Sequence, residues 1–361
     1  MDNLRFSRRN FISAVGVSGA ATVASLTPLQ SLANIRPEEN KLPPDRVIKM
    51  ISTIDLSPEE QKKIKAVSEN IDLEIVGDGG SVSADAEVVI GDVDAATLQR
   101  LKKLKWVQVW HAGVENMPKE MINHPVVLTN MQRVLGPVIA ESAIALLLSL
   151  TRGLIQSSVP NFYKKKWSQV PDDVVLDDLY NKTIAIVGMG GIGSETARRL
   201  HYGFNMRVIA TDAKPMHKPE FVDELHDPSW LMEMVPQADV LMSAAPLTKE
   251  TKEMFNAGVF GKMKPDAYFI NVSRGGLVQQ QALIDALKNK KIRGAGLDVT
   301  TPEPLPADHA LWTCPNLVIT PHNSSVADVR NKRMLALAVE NVRRYTLGLP
   351  LMNVVDKEKG Y

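Results

Sequence analysis

The hexapeptide Gly188-Met189-Gly190-Gly191-Ile192-Gly193 constrains this chain more than any other segment, because of what flanks it. Residues 183–187, Thr-Ile-Ala-Ile-Val, form a short apolar, β-branched run that reads as a buried strand. Residues 194–200 read as the opening of a helix and 206–211 as a second strand, which Asp212 ends 19 residues past Gly193. Strand, glycines, helix, strand and terminal acid together make the dinucleotide-binding fingerprint. Each part has a physical task. Gly188 allows the tight turn, Gly190 lets the backbone approach a pyrophosphate, and Gly193 lets the helix pack closely on the sheet. The helix N-terminus offers free N–H groups to the phosphate charge, with Gly191 and Ile192 beside it. Asp212 would accept hydrogen bonds from a ribose 2′-hydroxyl and repel a 2′-phosphate, so NAD is favoured over NADP; Lys214 and Lys218 weaken that preference.

A chain of 361 residues suggests two domains, and 44% hydrophobic with 23% charged residues is the balance of a globular protein. A formal net charge of +1 argues against nucleic acid or an acidic membrane as partner. Cys314 is the single cysteine, so an intramolecular disulfide and a cysteine-based metal cluster are both excluded, and no metal site is expected. The first residues read as an address. Arg5, Arg8 and Arg9 form a positive start, and Ser7-Arg8-Arg9-Asn10-Phe11-Ile12 matches the twin-arginine export pattern. Residues 11–26 are mildly apolar but fall short of the ~20 apolar residues a spanning helix needs, so stable membrane insertion is not expected. Ser31-Leu32-Ala33 supplies the small residues a signal peptidase reads. The expectation is a signal peptide over 1–33, export by the twin-arginine machinery, and a periplasmic mature protein.

Residues 34–45 are polar and proline-bearing and read as a linker. Strands are then expected at 47–52, 73–76, 87–90, 106–110 and 126–129, with helices at 58–69, capped by Ser57, and 95–103. A helix over 138–152 is apolar nearly all round, which marks a domain or subunit junction, and Gly153 ends it. Residues 154–179 read as irregular, and 327–347 as a helix. Alternating strands and helices imply parallel, doubly wound sheets. The fold expected is α/β: a Rossmann dinucleotide domain over 141–323 inserted into a flavodoxin-like domain formed by 45–140 and 324–355.

Three further segments each leave a strand carrying a residue suited to chemistry. Residues 269–278, Phe-Ile-Asn-Val-Ser-Arg-Gly-Gly-Leu-Val, put Arg274 at the sheet edge. Residues 297–306 leave a strand with Asp298 and enter a proline-rich loop carrying Glu303, and residues 317–323 deliver His322. Ligands of open α/β sheets bind at the carboxyl ends of the strands, so an arginine, a glutamate and a histidine converge on one crevice.

On these residues the chain resembles the D-isomer-specific 2-hydroxyacid dehydrogenase family over nearly all of 47–354. Matching segments are the glycine turn, Ala245-Pro-Leu-Thr248 with Thr251, Asn271-Val-Ser-Arg-Gly275, Leu297-Asp-Val299, Glu303-Pro-Leu-Pro306 and Thr320-Pro-His322. The resemblance implies hydride transfer between a nicotinamide and C2 of a small 2-oxo or 2-hydroxy acid. His322 would move the proton, Glu303 would orient it, and Arg274 would bind and polarise the substrate. It also implies cofactor contacts from Pro246, Thr251, Val272, Ser273 and Asp298, substrate contacts from Ala112 and Gly113, and a homodimer built through 138–179. Departures from the family pattern are Glu115 in place of an Asp, Ser142 in place of a His, and Asn323-Ser324-Ser325 after His322. They make the pocket more polar and leave the substrate open. Gln stands at the Glu303 position in formate dehydrogenases, so formate is not expected. A second reading stays open, a nucleotide-sensing binding protein with little or no turnover on the same fold.

Overall fold

The structure is a computed structural model that describes residues 46–77 and 83–361. The expected signal peptide and linker, and residues 78–82, lie outside the described residues.

Two wholly parallel sheets organise the chain. The first contains β1 (Ile48–Ser52), β2 (Ile71–Ile75), β3 (Val88–Ile90), β4 (Trp106–Gln108) and β5 (Val127–Thr129) in the order β2-β1-β3-β4-β5. This is the flavodoxin-like doubly wound order. The second contains β6 (Thr183–Val187), β7 (Arg207–Thr211), β8 (Glu224–His226), β9 (Val240–Ser243), β10 (Tyr268–Asn271), β11 (Gly294–Leu297) and β12 (Leu317–Ile319). Its order is β12-β11-β10-β9-β6-β7-β8, so the winding reverses between β6 and β9, beside the glycine turn. Central strands such as Val88–Ile90, Val240–Ser243 and Tyr268–Asn271 are buried at every position. Helices cover both faces of a parallel sheet, which is why these strands read as continuous apolar runs.

Local chemistry sets the helix ends. Ser57 and Glu60 form a reciprocal capping box at the helix Pro58–Lys65. That helix is shorter than expected, because residues 66–70 turn at once into β2, with the Ile71 N–H on the Ser68 carbonyl. The long apolar helix is Gly136–Thr151, and Gly153 follows it in the left-handed region at φ 62°. It lies on the second sheet, where Ala143, Leu146, Leu147 and Leu150 share a core with Ile184, Ile186 and Val240. Residues 154–179 are less irregular than expected. Leu154–Ser158 makes one π-helical turn and Val159–Tyr163 a short α-helix before regular structure stops.

The last helix, Arg330–Thr346, returns to the first sheet. Leu335 and Val342 pack with Ile48, Met50 and Ile64, and Tyr345 stacks on Trp106 with ring centroids 5.4 Å apart. Asn341, fully buried, donates from Nδ2 to Gln108 Oε1 at 2.9 Å and to the Met352 carbonyl at 3.1 Å. Its Oδ1 accepts the Met352 N–H at 2.7 Å, so the polar atoms of this buried amide are all used.

Candidate active site

The glycine turn joins β6 to the helix Gly191–Phe204. Gly188 sits at φ 97°, where an L side chain is strained. A Cβ on Gly193 would lie 1.9 Å from the Gly188 carbonyl oxygen, so the helix can start this close to the strand only without a side chain there. Around Gly190, by contrast, nothing lies within 4 Å of where a Cβ would be. No side chain caps the first turn of the helix, so its N–H groups remain available to an anion. Asp212 follows β7 and folds back on the turn. Its Oδ2 accepts the Met189 N–H and its Oδ1 the Lys214 N–H, both at 2.7 Å. The turn, the uncapped helix start and the strand-end acid fit a dinucleotide: pyrophosphate over Gly190–Gly193 and a ribose at Asp212. Lys214 is a neighbour with its own tie, its Nζ 4.3 Å from the centroid of the Tyr361 ring, and burial lowers its pKa.

The loops after β9 and β10 border the same edge. Thr251 Oγ1 donates to the Pro246 carbonyl at 2.7 Å and accepts the Thr248 N–H at 2.8 Å, which closes the turn after Ala245. Ser273 Oγ meets Ser243 Oγ at 2.8 Å, and Val272 is buried beside them. Asn271, fully buried, explains how Arg274 is presented. Its Oδ1 accepts the Ser273 N–H at 3.1 Å and its Nδ2 donates to the Arg274 carbonyl at 3.0 Å, so one side chain shapes the whole bend. Arg274 Nη1 then donates to the Ser273 carbonyl at 2.7 Å.

His322 and Glu303 meet directly, Nδ1 to Oε2 at 2.8 Å, across 19 residues of chain. Glu303 Oε1 accepts the Thr300 N–H at 2.9 Å, which fixes the carboxylate from its other side. An ionised carboxylate only accepts, so a proton sits on Nδ1 and Nε2 is the nitrogen left to exchange one. His322 itself has φ 51°, an unusual conformation for a residue with a side chain. Asp298 holds it there. Its carbonyl accepts the His322 N–H at 2.8 Å. Its Oδ1 accepts the Thr320 hydroxyl at 2.6 Å and the Asn323 N–H at 3.0 Å, and its Oδ2 accepts the Ser324 N–H at 3.1 Å. Ser142, on the long helix, donates to the Ser324 carbonyl at 3.3 Å and ties the same loop.

The first sheet contributes residues 111–115. The N–H groups of Ala112 and Gly113 donate to no protein group among the described residues. A Cβ on Gly113 would lie 2.0 Å from Arg274 Nη2, so this loop and the arginine are in contact. Arg274 Nε also donates to Glu115, forming an ion pair between the two sheets' loops. His111 places Nδ1 2.5 Å from the Gly113 carbonyl and Nε2 2.7 Å from Asp92 Oδ1. Both partners are acceptors, so both contacts are hydrogen bonds only when the ring is doubly protonated, a state that the Asp92 hydrogen bond favours by raising the pKa against the opposing effect of burial.

The structure therefore brings Arg274, Glu303 and His322 to neighbouring strand ends, with Gly113 against Arg274 and the glycine turn on the same sheet edge. Sequence reasoning missed the Asp92–His111 pair, the Glu115–Arg274 pair and the hold of Asp298 on residues 320–324. The one available signal was an acid placed directly after a buried strand.

A family model described as D-isomer specific 2-hydroxyacid dehydrogenase, NAD binding domain, matches residues 144–324. The chain is 34% identical over 290 residues to glyoxylate/hydroxypyruvate reductase B of Escherichia fergusonii, covering 79% of this chain and 88% of the relative. A solved protein from Thermus thermophilus superposes with a TM-score of 0.69 at 30% identity, over 85% of this chain and 100% of that one. The NADPH-dependent glyoxylate/hydroxypyruvate reductase of Sinorhizobium meliloti, solved with NADP and sulfate, gives 0.71 at 26% identity, over 87% and 100%.

Asp298 yields a stability prediction. In Asp298→Asn one acceptor becomes an NH₂ group facing N–H or O–H donors, and the unmade bonds should cost about 1–3 kcal/mol. Chemical denaturation monitors this, and a variant as stable as the parent would show that the carboxylate does not hold the loop.

Proposed function

The chain belongs to the D-isomer-specific 2-hydroxyacid dehydrogenase family, oxidoreductases that act on a CH–OH group with NAD, and from that premise we propose that it reduces a small 2-oxo acid such as glyoxylate or hydroxypyruvate. The observation that carries the reading is the His322–Glu303 pair at the end of β12, two strands from Arg274 at the end of β10. Bound nicotinamide supplies the hydride. The unengaged N–H groups of Ala112 and Gly113 bind the substrate carboxylate, with Arg274 beside them. Arg274 also stabilises negative charge as it develops on the C2 oxygen. His322 donates the Nε2 proton to that oxygen, while Glu303 keeps the ring oriented through Nδ1. Asp212 selects NAD over NADP by repelling a 2′-phosphate. Pro246, Thr251, Val272, Ser273 and Asp298 line the nicotinamide side, and the substrate domain is taken as 45–140 with 324–355, around a nucleotide domain at 141–323.

Glyoxylate-dependent oxidation of NADH should be measurable, faster than with NADPH. His322→Gln should lose roughly 10²–10⁴-fold in turnover with NADH binding nearly intact. NADH binding without turnover in the unaltered protein would favour the sensing role instead.

We also propose a homodimer built through residues 138–179. Phe162, Tyr163, Trp167 and Val175 in its second half, and Tyr180 just beyond, are all exposed, an apolar concentration unusual for a free surface. Sedimentation at micromolar concentration should give twice the chain mass, and a monomer would reject the arrangement.

The proposed export rests on Ser7-Arg8-Arg9-Asn10-Phe11-Ile12, the mildly apolar run over 11–26 and the small residues at Ser31-Leu32-Ala33. A mature periplasmic protein beginning near Asn34 is expected, and Arg8→Lys with Arg9→Lys should leave the precursor in the cytoplasm. Fractionation that finds the unaltered chain uncleaved and cytoplasmic refutes export and leaves the chemistry untouched.

A further inference from the structure

Glu115 carries a charge that the proposed chemistry does not use. Its neighbour Val114 is buried in the core of the first sheet with Val107, Val109 and Leu128, which pins the loop. The Glu115 carboxylate meets Arg274, with Oε1 accepting from Nε. The same guanidinium gives Nη1 to the Ser273 carbonyl at 2.7 Å and sets Nη2 against Gly113. A carboxylate binds a guanidinium best through two parallel N–H bonds, and the Nε–Nη2 edge is one of the places where it can do so. Glu115 occupies half of that edge. Both side chains are about three-tenths exposed, so water screens the pair only in part. Burial works against ionising Glu115, yet the Arg274 charge and hydrogen bond outweigh it and hold the carboxyl below its usual range. His111 also favours the ionised Glu115, more weakly than Arg274 does, and is itself paired with Asp92.

We propose that Glu115 is an internal competitor for the Arg274 guanidinium, displaced by the substrate carboxylate, and that its charge selects 2-oxo acids bearing a single carboxylate. This rests on reading Arg274 as a substrate anchor. A monoanionic substrate exchanges one carboxylate for another on the arginine. A second carboxylate would be brought close to the displaced Glu115, and like charges brought together in a partly desolvated pocket are strongly disfavoured.

The test compares Glu115→Gln, which removes the charge at constant volume, with Glu115→Asp, which keeps the charge but withdraws it by one methylene. In the Gln variant the KM for glyoxylate should fall about tenfold, the order expected from removing one competing charge at this range. The KM for oxaloacetate should fall further, narrowing the ratio of kcat/KM between the two substrates. The Asp variant should also lower the KM for glyoxylate, while keeping discrimination against oxaloacetate. A glyoxylate KM that rises or stays unchanged in the Gln variant, or an unaltered substrate ratio, overturns the proposal and makes Glu115 a support for Arg274. NADH binding by fluorescence checks that each variant is folded, and if the Gln variant fails that check the Asp variant decides. Should the unaltered protein turn over no 2-oxo acid, the proposed function falls. Calorimetric titration of the NADH-loaded protein with oxamate then still reads the competition: tighter binding to Glu115→Gln supports it, and equal or weaker binding ends it.

Discussion

Parallel pairing is the constraint on which the site depends. When neighbouring strands run the same way, the loops leaving their carboxyl ends emerge on one edge, and register decides how level that edge is. In the second sheet Asn271 pairs with Leu297 and Leu297 with Ile319, so β10, β11 and β12 end side by side. Arg274, Asp298 and His322 follow those three residues by three, one and three positions. Slipping one strand along its neighbour would separate them. The continuous burial of Tyr268–Asn271 and Gly294–Leu297, with helices on both faces, holds the register in place.

Within that edge, a buried acid does the positioning. Asp298 is 1% exposed and accepts side-chain hydrogen bonds from three donors, none of them a cation. A left-handed conformation at a residue with a side chain costs on the order of 1–3 kcal/mol and persists only where the surroundings over-determine it. The bonds from Thr320, Asn323 and Ser324 to Asp298, with the His322 N–H on its carbonyl, provide that hold around φ 51°. Thr300, two residues past Asp298, gives its N–H to Glu303. One strand end thus anchors both partners of the histidine–glutamate pair.

Loops of both sheets bring paired charges to the site. His111 and Asp92 pair within the first sheet's loops, Glu303 and His322 within the second's, and Glu115 with Arg274 joins the two. These pairs leave Nε2 of His322, Nη2 of Arg274 and the backbone N–H groups of Ala112 and Gly113 without a hydrogen-bond partner among the described residues, while Glu115 holds the Nε side of the Arg274 guanidinium.

Most of the fold was legible in the chain. The strand–glycine–helix–strand–acid run, the Ser57 cap and the α/β alternation depend on neighbours a few residues apart, and local patterns record such neighbours faithfully. Arg274, Glu303 and His322 were legible for a related reason, since each follows a strand closely and strand ends share an edge. Residues 154–163 were misjudged because a π-helical turn carries no periodic signature of its own. Contacts among residues far apart in sequence were decided by tertiary structure alone. Glu115 meets Arg274 across 159 residues, Ser142 meets Ser324 across 182, and Asn341 meets Gln108 across 233. No spacing rule reaches that far, because those distances are set by how two sheets and the helices between them pack. The sequence by itself determined which chemical groups stand at the strand ends, and only the packing decided which of their charges face one another.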